Sequence, residues 1–212
     1  MSDALKTWQR SRKPSVFSRL VRGVRKPEPL RERISYTIYK LKVQNQRLNQ
    51  SYQRMQNHYN NLFRKVTNAV MAKDKIRARI YANESAEVRK MCETIMRSQF
   101  AIEQVALRLE TVGEFGDIAV EMAPIAKVIS SIRGPLTGVV PEVSYTLGEI
   151  GGTLNDLVME AGGATSVPWN VTYSGAEAEK ILTEANAIAE QKMKDKFPTL
   201  PDTGLPSFEK PS

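Results

Sequence analysis

Residues 30–112 read LRERISYTIYKLKVQNQRLNQSYQRMQNHYNNLFRKVTNAVMAKDKIRARIYANESAEVRKMCETIMRSQFAIEQVALRLETV, with no glycine and no proline. Ile34, Ile38, Leu41, Asn45, Leu48, Tyr52, Met55, Tyr59, Leu62, Val66 and Ala69 recur at alternating steps of four and three. That is the heptad period, which keeps one helical face against a partner helix. A second seam runs Val88, Met91, Ile95, Ser98, Ile102, Val105, Leu109 and Val112. Between the two, Lys73, Asp74, Lys75, Arg77 and Arg79 break the phase. Two seams joined by a polar break predict a long antiparallel helical hairpin, each arm of roughly 40 residues extending about 60 Å. The fold class expected is all-α.

The chain has 212 residues, 41% hydrophobic and 7% aromatic, enough for helix packing and thin for a thick globular core. One cysteine, Cys92, excludes an intramolecular disulfide framework, and one histidine, His58, argues against a zinc cluster or a serine-type triad. No Gly-rich phosphate loop with its lysine is present. No cofactor or metal is expected, and no enzyme. No apolar run reaches the roughly 20 residues of a membrane-spanning helix, and the N-terminus lacks a signal-peptide core, so an intracellular protein is expected.

Charge is distributed unevenly. Residues 1–109 carry 24 Lys+Arg against 8 Asp+Glu, a net +16, whereas residues 110–190 carry 3 against 12, a net −9. A basic half attracts an anionic surface, and an acidic half can fold back over it. Solvated helix faces of opposite sign are the plainer alternative.

Outward from the hairpin, residues 1–29 are basic, with Pro14 and Pro27 bracketing a short segment. On a helical wheel Val16, Phe17, Leu20, Val21 and Val24 share one arc, and Arg19, Arg22 and Arg25 oppose it. An apolar face backed by cations suits the plane of an anionic bilayer, although Gly23 weakens the isolated helix. A small helix packed on the hairpin or a basic tail would read similarly.

On the other side, Gly113 and Gly116 are expected to mark a stop or hinge in the second helix. A third helix is expected over 118–132, then a linker built on Gly134, Pro135, Gly138 and Pro141. Pro141 suits the first position of a fourth, acidic helix with Val143, Leu147, Ile150, Leu154 and Leu157 on its apolar stripe. Ser174 with Glu177 reads as a capping box opening a fifth helix, whose face carries Ile181, Leu182, Ala185, Ile188 and Ala189. The tail brings Phe197, Pro198, Leu200, Pro201, Leu205 and Pro206, an extended run of apolar and proline residues suited to docking in a groove. Five units follow: 1–29, 30–112, 113–161, 162–196 and 197–212.

This order resembles the ESCRT-III family, and within it the archaeal cell-division members of the CdvB group, over about residues 15–206. The most specific element, Phe197-Pro198-Thr199-Leu200-Pro201, is similar to the family's type-2 MIT-interacting motif. The resemblance implies a filament subunit that polymerises with itself and its paralogues on anionic membrane. It places the protein peripherally on the inner face of the cell membrane at the division site. It also implies that the MIT domain of a Vps-type AAA ATPase, CdvC in archaea, holds the tail, and that the ATPase supplies the energy. The chain ends at Ser212 without the winged-helix-like segment expected of the founding archaeal member, so a paralogue role is expected. Two rival readings are a BAR-like membrane-bending coiled coil, which would need neither acidic cover nor proline motif, and a basic helical nucleic-acid binder. The acidic half would repel a nucleic acid, and none is expected as a partner.

Overall fold

The computed structural model describes residues 29–115, 118–164 and 171–197. Among these residues the chain forms five helices and no strand: α1 Leu30–Met71, α2 Lys75–Phe115, α3 Ile118–Leu136, α4 Pro141–Ala164 and α5 Val171–Lys196. The expected all-α hairpin followed by three shorter helices is the observed architecture.

α1 begins directly after Pro29, whose carbonyl accepts from the amides of Glu32 and Arg33 at 2.9 and 3.2 Å. Its far end is closed by a three-residue turn. The Asp74 amide donates to the Ala69 carbonyl at 2.9 Å and the Lys73 amide to Val70 at 3.0 Å. This is the Schellman pattern, which requires a left-handed residue at the position after the cap, and Lys73 fills it at φ 57°. Asp74 then caps α2, its Oδ1 accepting from the Arg77 amide at 3.0 Å. The polar phase break of the sequence is thus a hairpin tip built from one reverse turn.

The first seam is buried through Ile34, Leu41, Leu48, Tyr52, Tyr59, Leu62, Val66 and Ala69. Two positions are shifted by one residue: Thr37 and Gln44 are buried where Ile38 and Asn45 were expected to lead. Asn45 lies on the flank, its Nδ2 donating to Glu103 at 2.9 Å. The shift has a packing cause. α4 also packs on α1, its Glu160 pairing with Arg33 in the first turn, so burial there is divided between two partners and the buried arc rotates.

α2 is the central helix, with α1 on one side and α3 and α5 on the other. Its buried set is consequently broader than a single seam, adding Cys92, Met96, Ala101 and Ala106 to Val88, Ile95, Ser98, Ile102, Val105, Leu109 and Val112. Met91 is only half-buried; Cys92 takes the interior position beside it.

α2 runs through Gly113 to Phe115, so that glycine is not a stop. α3 passes through Gly134 and Pro135 and ends at Leu136, leaving only residues 137–140 as the connection to α4. A proline in the last turn leaves one carbonyl of the preceding turn without its amide partner, a small cost at a helix end. The connection is held by Ser144, whose Oγ donates to the Arg133 carbonyl at 3.0 Å, and by the Val140 amide to Leu136 at 2.8 Å. Pro141 opens α4, as its fixed φ suits. α5 starts four residues earlier than the capping-box reading, at Val171, so Ser174 lies inside the helix. Ile188 is exposed, and the buried stripe of α5 runs Ala178, Ile181, Ala185, Ala189 and Met193 instead.

Candidate functional site

The face of the hairpin covered by α4 and α5 is where the two halves of opposite charge meet. Its floor is apolar. Val143, Leu147, Ile150, Leu154 and Leu157 of α4, and the alanine-rich stripe of α5, are buried against α1, α2 and α3. Small residues on α5 let its backbone approach closely, which is why this stripe can be so poor in large side chains and still exclude water.

Charge enters only at the edge. Arg33 in the first turn of α1 pairs with Glu160 near the end of α4. On α2, Arg108 pairs with Glu177 at 2.5 Å, and Arg97 lies 3.5 Å from Glu190 while also bonded to Glu93 of its own helix. The order 108 with 177 and 97 with 190 sets α5 antiparallel to α2. Glu142, Glu149 and Asp156 of α4 remain exposed to solvent. Partly exposed pairs of this kind contribute about 0–1 kcal/mol each, so apolar burial and not charge holds the cover down.

The cover closes on an aromatic slot. Phe197, 3% exposed, extends the buried stripe of α5 by one further turn and inserts beside Tyr52 and Tyr59. Its ring meets Tyr59 edge-on at 4.8 Å between centroids and Tyr52 at 6.5 Å. Edge-to-face geometry at this separation is the favoured arrangement for aromatic quadrupoles. The Phe197 amide still donates to Met193 at 3.0 Å, continuing the helix, and Lys196 Nζ sits 5.3 Å over the Tyr52 ring. Cys92 lies nearby, fully buried. Burial pushes its thiol from 9.0 to about 12, and pushes the Tyr52 hydroxyl from 10.0 to about 12 with Cys92 adding to the effect. The Tyr59 hydroxyl is also raised by burial, against the opposing charge of Arg89. All three are therefore neutral at physiological pH and serve as packing groups rather than reagents.

Of the tail residues singled out for docking, Phe197 is thus placed inside the helical body. Pro198, Leu200, Pro201, Leu205 and Pro206 lie outside the described residues, as do the membrane candidates Val16, Phe17, Arg19, Leu20, Val21, Arg22, Val24 and Arg25. The aromatic slot and the roles of Arg97 and Arg108 were not anticipated from sequence. The legible signal was Ala178, Ile181, Ala185, Ala189, Met193 and Phe197 at steps of three and four, which joins Phe197 to the helix before it.

Among the described residues no group of His, Cys, Asp or Glu could hold a metal ion, and no helix is long and apolar enough to cross a membrane. His58 is an exposed residue of α1, the flank position expected.

Three proteins of Sulfolobus acidocaldarius are similar to this chain. Cell division protein B1 is 44% identical over 184 residues, 86% of either chain. Cell division protein B is 31% identical over 172 residues, covering 81% of this chain and 66% of its own. Cell division protein B3 is 25% identical over 118 residues, 55% of this chain and 68% of its own. No family model and no solved structure matches.

Proposed function

Because the chain belongs to the cell division protein B family and so has a role in cell division, we propose that it acts there as an ESCRT-III-like filament subunit on anionic membrane. In the closed form described above, α4 and α5 occupy one face of the hairpin, and Phe197 secures the end of α5. Lifting this cover leaves a long basic hairpin free to pack laterally against further copies or paralogues into a filament that constricts membrane. The segment with Val16, Phe17, Leu20, Val21 and Val24 lies in the bilayer interface, while Arg19, Arg22 and Arg25 meet lipid phosphates. The run Pro198 to Pro206, in particular Leu200 and Pro201, docks in the MIT domain of a Vps-type AAA ATPase, which extracts subunits.

The observation that carries this reading is the closure itself: a basic hairpin of about 60 Å whose apolar flank is covered by a helix ending in one aromatic anchor. A chain used only as a static coiled coil has no need of such a seal. Negative-stain microscopy of the full chain with and without phosphatidylglycerol vesicles tests it. Filaments on vesicles, more abundant for Phe197→Ala, are expected. Vesicles that stay bare with both proteins would remove the filament reading.

A further inference from the structure

The tip of the hairpin projects beyond the end of α5. α5 ends with Phe197 at the level of Tyr59, and the turn at Lys73 lies fourteen residues further along, about 20 Å beyond that level. On this projection three large apolar side chains face water: Met71 at 77% exposure, Ile76 at 76% and Ile80 at 58%. Their orientation follows from the helix period. Ala78 is buried against α1, and Ile76 and Ile80, two positions to either side, point the opposite way on one face of α2's first turns.

The charges around them are mostly of one sign. Lys73, Lys75, Arg77 and Arg79 are all exposed, against Asp74, which is engaged in capping α2 and in the ion pair with Arg77 at 3.4 Å, and the exposed Glu84 one turn beyond Ile80. The apex residue is itself notable: Lys73 holds the left-handed conformation that costs a side chain roughly 1–2 kcal/mol and glycine nothing.

We propose that the hairpin tip is a second membrane contact, inserting Met71, Ile76 and Ile80 into the headgroup boundary of an anionic bilayer while Lys73, Lys75 and Arg77 bind lipid phosphates. The patch is convex, so an apolar partner would have to be a socket or a soft surface. Its long, flexible cations and protruding aliphatic groups match the latter. Contact at the tip and contact through residues 15–26 lie at opposite ends of α1. The proposal shares with the functional reading only its choice of an anionic membrane, and its test keeps the two ends apart.

Cys92 is fully buried, so Ile76→Cys in the full chain can be labelled selectively with the polarity-sensitive dye NBD. The protein is then mixed with vesicles of phosphatidylglycerol and phosphatidylcholine, or of phosphatidylcholine alone, with and without brominated acyl chains. A blue-shifted emission quenched by brominated lipid, on the anionic vesicles only, is the expected result. It should persist in a Phe17→Glu, Leu20→Glu background at raised protein concentration, which separates the tip from the N-terminal segment. In unlabelled protein, Met71→Gln with Ile76→Gln and Ile80→Gln, all at exposed positions, should weaken partitioning by about tenfold. Emission that stays water-like while the protein sediments with vesicles would overturn the proposal. So would a blue shift present without vesicles. If that shift rises with protein concentration the tip meets a second copy, and if it does not the tip is covered by the chain's own remainder.

Discussion

At the scale of single residues, the turn that makes the hairpin depends on two neighbours with opposite strain. Asp74 relieves an unpaired amide of α2, and Asp74→Ala is expected to lower stability by about 1 kcal/mol in urea unfolding. Lys73→Gly is expected to act the other way by a similar amount, since it removes a left-handed side chain. Cys92 makes a different prediction. Its thiol is raised by burial to about 12, above the value it has when exposed. In the unfolded chain it ionises first, so the stability it supports is complete below about pH 9 and is lost as pH rises toward 12. Cys92→Ala should flatten that alkaline slope, read by chemical denaturation across pH 7 to 11, and Tyr52 supplies part of what remains.

At the scale of elements, glycine and proline proved weaker breakers than their propensities. α4 contains Gly148, Gly151 and Gly152 yet forms one helix, because Leu147, Ile150, Leu154 and Leu157 are buried against neighbours that hold it straight. Helix propensity amounts to about 1 kcal/mol per glycine, whereas each buried leucine or isoleucine contributes about 1.5–3 kcal/mol. Gly152 is exposed, with nothing near the position its Cβ would occupy. Gly152→Ala should therefore raise the thermal midpoint, by the equivalent of about 1 kcal/mol. Gly148→Ala should gain less, because the Arg133 guanidinium lies 3.0 Å from the added carbon and has to move.

At the scale of the whole molecule, the +16 and −9 halves do meet, but through edge pairs flanking a dry apolar seam. Edge pairs of about 0–1 kcal/mol respond weakly to salt compared with removal of a buried aromatic, which costs about 3–5 kcal/mol in a closed core. Phe197→Ala is accordingly expected to loosen α5 and promote polymerisation more than raised salt does, as measured by light scattering and hydrogen exchange of α5. The functional reading also predicts two binding results. Phe17→Glu with Leu20→Glu should sharply reduce sedimentation with anionic vesicles at low protein concentration. A peptide of residues 191–212 should bind the ATPase's MIT domain in the micromolar range by calorimetry, and Leu200→Asp with Pro201→Ala should remove that binding.

What the amino-acid sequence determined by itself was everything that rests on local period and local chemistry. The heptad steps from Ile34 to Ala69 and from Val88 to Val112 demanded two long helices, and the polar break around Asp74 demanded a turn, since both are properties of a chain against one generic partner. Pro141 marked the start of α4 for the same reason: a fixed φ acts wherever it stands. What only the tertiary structure decided was which side of each helix faced which neighbour. Gln44 displaced Asn45 and Cys92 displaced Met91, because α1 and α2 each bury surface against more than one partner, and Gly113, Gly134 and Pro135 were carried inside helices. Phe197 shows the division most clearly. Its place before a proline run suggested a docking tail, and its burial beside Tyr52 and Tyr59 depends on an edge-to-face contact across more than 130 positions of chain. No periodicity encodes such a contact; it exists only once α5 lies antiparallel to α2.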